Sequence, residues 1–472
     1  MTIEGRTQMG NRCWSRRRLL GGSAAGFGWL AASSLLARES AAAGTASGFH
    51  LPARARRVIF LFMMGGPSQV DTFDPKPQLA LDDGKELPFA KPRVQFGETG
   101  KILASPWKFR PYGQSGIQVS ELFPHVARHV DDICFLHSLH GTNPAHGGAV
   151  LKLHTGSETF VRPSMGAWLT YGLGTENDNL PGFLTICPSL GHGGSNNWGA
   201  AFLPPEFQGV PVGIAGNPSK EAQVKFIANR RWPREVQRTQ LDLFEELSAA
   251  GPVADTIVDA RIKSFELAFR MQAEMPGVQD ISGETARTLS LYGLDDPVTE
   301  DFGRQCLLAR RFAEAGVRFI QVTHSDTKVQ WDQHADLVKG HTAKAAEVDK
   351  PIAGLLTDLK ERGLLDDTLV LWGGEFGRTP VAQGKKGHYG RDHNPEGFTM
   401  WMAGGGVKGG YRYGTTDDYG YYAVENKMHI HDLHATLLHL LGVDHLKLTY
   451  RHAGRDFRLT DVAGKVHKAV LA

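Results

Sequence analysis

Cysteine is scarce in this chain, with four among 472 residues at positions 13, 134, 187 and 306. Cys134, Cys187 and Cys306 lie in the apolar stretches DICFLH, FLTICPS and RQCLLAR, so buried thiols are expected rather than a disulfide framework. An excess of either charge is also missing. The formal net charge is +2, and residues 1–43 carry six Arg and two Glu, so the rest of the chain is close to neutral. That composition gives no support to a nucleic-acid-binding surface. Heptads, internal repeats and low-complexity blocks are absent after residue 43, as is the HExxH helix pattern of zinc peptidases. The glycine run AGGGVKGG (403–410) lacks the GxGxxG spacing with a following helix, so it reads as a turn and not as a dinucleotide loop.

What is present begins with SRRRLL at residues 15–20, a twin-arginine export pattern. An uncharged run from Leu19 to Ala37 follows, then small residues at Ala41, Ala42 and Ala43. The run is long enough to span a bilayer, but Gly, Ala and Ser dilute its hydrophobicity, which argues against a retained anchor. Residues 1–43 are read as a cleaved signal peptide, 44–56 as a linker and 57–472 as the main α/β domain. The expected destination is the periplasm or the extracellular space, with no stable membrane insertion once the signal is removed. Twin-arginine export moves folded proteins, which suits a chain that takes up a metal or cofactor inside the cell.

Within the domain, RVIFLFMM (57–64) is a continuous apolar run closed by Gly65 and Gly66, the pattern of a strand buried on both faces of a parallel sheet. Runs of the same kind recur at ICFLHSL (133–139), GFLTICP (182–188), VRFIQVT (317–323), TLVLWGG (368–374) and FTMWMAGGG (398–406). Helical patterns at 301–316 and 342–365 run directly into strands, as in βαβ units. HIHDLHATLLHLLG (429–442) closes the series with Leu433, Leu437, Leu440 and Leu441 on one face. Residues from about 215 to 300 are charged and helix-favouring, and are read as a helical insertion.

Ligands in open parallel sheets sit outside the carboxyl ends of strands, and the segments there are unusually polar. The first run leads to Asp71 and Asp74, the second to His140, Asn143 and His146. VRFIQVT leads to His324, Asp326, Asp332 and His334, and TLVLWGG to Glu375 and Arg378, then His388, Arg391, Asp392, His393 and Asn394. Oxygen and nitrogen donors converging from separate strand ends suit a divalent metal, and an arginine beside them suits an anionic group. Singly, each is weak. Asp71 and Asp74 fit a turn or cap as well as a ligand, and His429, His431, His434, His439 and His445 fit surface or satisfied core positions better than a site.

Taken together, MMGGPSQVDTFDPKP, WDQH, WGGEFGRTP, GRDHNPEGFTMWMAGGG and the signal resemble the family known as domain of unknown function 1501, exported sulfatase-like proteins, over nearly the whole length after residue 43. The resemblance implies the alkaline-phosphatase-like three-layer α/β/α sandwich with a mostly parallel sheet, shared by phosphatases, sulfatases, phosphodiesterases and cofactor-independent phosphoglycerate mutases. Fold does not settle function. HIHDLHATLLHLLG resembles the closing helix of sulfatases. TNPAHGGAVLKLHTG (142–156) resembles the nucleophile turn, where superfamily members carry Ser, Thr or a modified Cys ten residues before the last Gly; here that residue is His146. Two further departures are Met63-Met64-Gly65 in place of a metal-binding Asp at the end of the first strand, and Glu375-Phe376 in place of a late Asp-His pair.

The expectation is a metal-dependent hydrolase of a sulfate or phosphate ester, taking a small-molecule or glycan substrate on the envelope or outside the cell. Asp332, His334, Glu375 and His393 are expected to hold a divalent metal (Zn, Mn, Ca or Fe suit such donors to different degrees), with Arg378 facing the anionic group and His146 at the reaction centre. Asp71 and Asp74 are a weaker pair of candidates for the missing strand-end Asp. Three roles are open to His146: covalent nucleophile, metal ligand with direct attack by water, or relic of a turn in a non-catalytic glycan- or metal-binding module.

Overall fold

The computed structural model describes residues 49–90, 100–225, 227–229, 231–250, 256–325 and 330–472. The expected signal, the first part of the linker and Asp326 lie outside these residues. All seven side chains of β1 (Arg57–Met63) are buried, as the uninterrupted apolar run predicts for a central strand. The other strands of the nine-stranded sheet are β2 (Ile133–His140), β3 (Phe183–Ile186), β4 (Val210–Val212), β5 (Phe319–His324), β6 (Thr368–Gly373), β7 (Phe398–Ala403), β8 (Tyr411–Tyr413) and β9 (Met428–His429). Their order is β8-β2-β7-β6-β1-β5-β3-β4, with β9 also pairing with β2.

β1 is parallel to both neighbours, with Met63 opposite His324 of β5 and Phe62 opposite Gly373 of β6. The exception is β7, expected from its apolar run to be one more buried parallel-type strand. It runs antiparallel to both β2 and β6. The polar loop before it explains the reversal, because antiparallel pairing of His393 with Arg378 and Asn394 with Gly377 turns the chain back on itself. β2, twice reversed, therefore points the same way as β6 and β1.

Helices cover both faces. Ile59, Leu61 and Met63 of β1 face one core with α5 (Glu300–Glu314) and α6 (Leu337–Glu361). Phe60 and Phe62 face the other side, where both rings meet His154 of α1 (His146–Thr155). The charged stretch predicted to be helical contains α3 (Arg234–Ala250) and α4 (Thr256–Gln279), which pack on each other. α2 (Met165–Leu173) lies beside β3, and α7 (Ile430–Leu440) buries Leu433, Leu437 and Leu440, with Leu441 just beyond its end. This is the three-layer α/β/α arrangement expected from the sequence. Cys134, Cys187 and Cys306 are buried free thiols. Gly404, Gly405 and Gly406 all have positive φ, which confirms the glycine run as a turn.

Candidate metal centre

Four chain segments reach the same edge of the sheet. His146 follows β2 as the first residue of α1, Asp332 and His334 follow β5, and Glu375 and Arg378 follow β6. His393 arrives differently: it precedes β7, and since that strand is antiparallel, its amino end lies where the other strands have their carboxyl ends. The six side chains picked out from sequence are brought into one contiguous set.

Asp332 is the hub. Its Oδ1 lies 2.9 Å from His334 Nε2, 3.0 Å from His393 Nε2 and 2.7 Å from Arg378 Nη2, and its Oδ2 lies 3.2 Å from His146 Nε2. Each imidazole is anchored at its other nitrogen. His146 Nδ1 donates to Glu375 Oε1 at 2.6 Å, His334 Nδ1 to Gln383 Oε1 at 2.5 Å, and His393 Nδ1 to the Pro144 carbonyl at 2.6 Å. Carboxylate, amide and peptide oxygens only accept here, so all three rings carry a proton on Nδ1. Three Nε2 atoms consequently point at one carboxylate.

Burial resists charge on His146, but its hydrogen bonds to Asp332 and Glu375 and their charges outweigh it and raise its pKa to about 9. The Asp332 hydrogen bond raises that of His334. His393 goes the other way: burial dominates, Arg378 and His146 add to it, and its pKa falls to about 4. Burial also penalises Asp332 and Glu375, yet their histidine partners hold both below the usual carboxylate range. With a proton on Nδ1 alone, His393 would set an imidazole lone pair 3.0 Å from a carboxylate oxygen. Two acceptors at that distance need a shared cation or proton between them.

Glu375 and Arg378 form the floor. Burial of both is complete, and Gly65 N donates to Glu375 Oε1 at 3.0 Å and Oε2 at 3.1 Å. Arg378 donates to the carbonyls of Gly65, Gly66, Trp331 and Arg391. Thus the strand end that lacks an Asp grips the site through its backbone. Gly66 has φ +77°, and a Cβ there would sit 2.6 Å from Phe376 Cδ2, so this approach requires glycine. Phe376 packs against His393 and His146, with ring centroids 4.4 and 4.9 Å away.

The sequence reading gives Glu375 a metal-binding role and has Arg378 facing an anion. In the structure Glu375 holds His146 from behind, and Arg378 is turned inward to brace Asp332. Asp71 and Asp74, the weaker candidates, are engaged elsewhere. Asp71 is not in a loop but in the short helix Gln69–Thr72, and its carboxylate pairs with Arg391 at 2.7 and 3.1 Å. Asp74 pairs with Lys76 and Thr416. His324 bonds Glu347 and Trp331, and His388 bonds Asp336, both apart from the hub.

Sequence reading missed Gln383, which carries no motif signal, and His192, whose ring centroid lies 4.9 Å from that of His146. Asp392, adjacent to His393 in GRDHN, was visible but unassigned; its Oδ2 is buried and has no hydrogen-bond partner among the described residues. The donor atoms of His146, Asp332 and His393 lie within 4.8 Å of one another, as do those of His334, Asp392 and His393. The residues fit a divalent cation: nitrogen and carboxylate oxygen donors converge, and each histidine has the outer hydrogen bond that fixes a metal ligand.

A family described as protein of unknown function (DUF1501) matches residues 55–471. No curated protein matches. Among solved structures the chain is similar to the PsFucS1 sulfatase from Pseudoalteromonas sp., at 14% identity over 83% of this chain and 68% of that one, with a TM-score of 0.34. It is similar also to alkaline phosphatase from the Antarctic bacterium TAB5, at 10% identity, 82% and 98% coverage and a TM-score of 0.30. A third likeness is to a protein in the alkaline phosphatase superfamily from Vibrio parahaemolyticus, at 11% identity, 84% and 68% coverage and a TM-score of 0.33.

Proposed function

The chain belongs to the DUF1501 family, and on that premise we propose that it is an exported, metal-dependent hydrolase of a sulfate or phosphate ester on an envelope or extracellular glycan. The observation that carries the reading is the convergence of three Nδ1-anchored imidazoles on Asp332. His146, His334, His393 and Asp332 would hold the ion. Glu375 and Gln383 position His146 and His334, and Arg378 braces Asp332. A set rich in imidazole suits Zn better than Mn or Ca, which prefer oxygen ligands.

When bound, the ion supplies Lewis acidity toward an anionic ester. His146 is then a ligand rather than a nucleophile, because Nδ1 is committed to Glu375 and Nε2 to the hub. To serve, it must shed the proton that Asp332 and Glu375 otherwise hold on it. His334, about one-third exposed against 2% for the His393 side chain, marks the side from which substrate enters. Among the described residues no helix is long and apolar enough to cross a membrane.

The test is hydrolysis of aryl sulfates and phosphates by the purified chain beside Glu375→Ala and His393→Ala. Loss of about a hundredfold or more in rate with unchanged circular dichroism is expected, given the usual cost of disturbing metal ligands and their partners. Full activity in both variants would overturn the assignment. The imidazole at the head of the turn, where an oxygen or sulfur nucleophile is usual, favours a second reading as a non-catalytic glycan- or metal-binding module. Metal and glycan binding without turnover on any ester would select it.

A further inference from the structure

The segment from Gln383 to Gly390 is a hairpin whose arms are stitched to the chain carrying His334. Gln383 and Gly390 pair with each other, Ala335 pairs with Tyr389, and Leu337 N donates to the Tyr389 carbonyl at 2.9 Å. Gly390 must be glycine, because a Cβ there would lie 2.1 Å from the His334 carbonyl carbon. The tip is exposed from Gly384 to Tyr389 and turns at Lys385–His388, where His388 N bonds the Lys385 carbonyl at 2.9 Å and Gly387 has φ +87°. His388 is engaged by Asp336, at 2.7 Å. Lys385 and Lys386 have no ion pair with any described residue. They stand two and three residues from Gln383, and so within roughly 7–10 Å of it along the chain.

Resting on the hydrolase reading, we propose that this hairpin is a substrate-binding lip. Lys385 and Lys386 take a second anionic group of the substrate while the first lies at the histidine cluster. The substrate class is therefore a glycan bearing sulfate or phosphate groups in series, not an isolated monoester. Two lysines on a nearly neutral chain are enough to grip one flanking anion, whereas a nucleic acid would need many phosphates neutralised at once.

The full chain is titrated calorimetrically with dextran sulfate, beside Lys385→Gln/Lys386→Gln and a charge-matched control, Lys447→Gln/Lys468→Gln. Metal content is measured in all three. Binding about five- to tenfold weaker in the hairpin variant only, with metal content unchanged, is expected for two exposed charge contacts. Equal binding in all three proteins, an equal loss in both variants, or tighter binding of single-stranded DNA than of dextran sulfate would overturn the proposal. Because the readout is binding, a chain that proves inactive on every ester contradicts the hydrolase reading while leaving this result to stand or fall separately.

Discussion

Two regions of this protein are rich in histidine, and they differ in where the second ring nitrogen goes. In and beside α7, His431 Nε2 is bonded to the Gly156 carbonyl and His434 Nε2 to the Leu153 carbonyl. Those rings lock α7 onto α1, and burial lowers the pKa of both. At the sheet edge the rings also use one nitrogen for an oxygen acceptor, but the other three nitrogens meet at one carboxylate. A histidine that bonds backbone and faces apolar packing is structural, whereas three rings whose Nε2 atoms share one carboxylate are poised to exchange the protons held there for a cation. Counting histidines could not separate the regions; their hydrogen bonds do.

The comparison is broken most severely at the hub. Asp332→Asn leaves three imidazoles and Arg378 around a neutral amide. The change should abolish metal retention and cost stability near the lower end of the about 3–5 kcal/mol typical of a broken buried pair, since Asp332 is one-fifth exposed. Thermal denaturation and elemental analysis check both. Glu375→Gln keeps an acceptor for His146 and Gly65 but removes the charge. Metal affinity should fall about ten- to a hundredfold, and the His146 pKa, read by NMR in the metal-free protein, should drop from about 9. An unchanged pKa would show that Glu375 does not act through His146.

The structural histidines predict the opposite pattern. Burial holds His434 and His341 at about 3, and His137 and His154 at about 4. Below the ordinary histidine pKa of 6.5 the unfolded chain binds protons these folded groups refuse, so stability is full above that pH and is lost as pH falls toward 4. Each group contributes a slope of up to about 1.4 kcal/mol per pH unit. His434→Gln should flatten the slope of denaturant-derived stability by about one proton; an unaltered slope would contradict the assignment. The smallest effect is expected of His431→Gln, about 1 kcal/mol for one hydrogen bond, with metal content the same as wild type.

Much of the fold was legible because buried strands leave uninterrupted apolar runs, as RVIFLFMM and TLVLWGG do. The direction of β7 was not, since an apolar run is the same read either way; the His393–Arg378 pairing that reverses the chain depends on contacts made only after folding. Asp332, His334, Glu375, Arg378, His393 and His146 were each visible at a predicted strand end or turn, and the structure gathers them. Their division of labour was hidden. Whether a carboxylate faces an open lone pair or the back of a ring depends on side-chain direction, and Glu375 and Asp332 look alike in sequence. Gln383 was invisible because an amide that orients one histidine leaves no spacing pattern.

The central claim is that the three converging imidazoles and Asp332 bind a metal ion, and metal content tests it most directly. The full chain, purified without added metal or affinity histidines, is analysed beside His334→Ala/His393→Ala. The account predicts near-stoichiometric metal in the wild type and its loss in the variant. A wild-type chain that stays empty after incubation with Zn, Mn and Ca would contradict it.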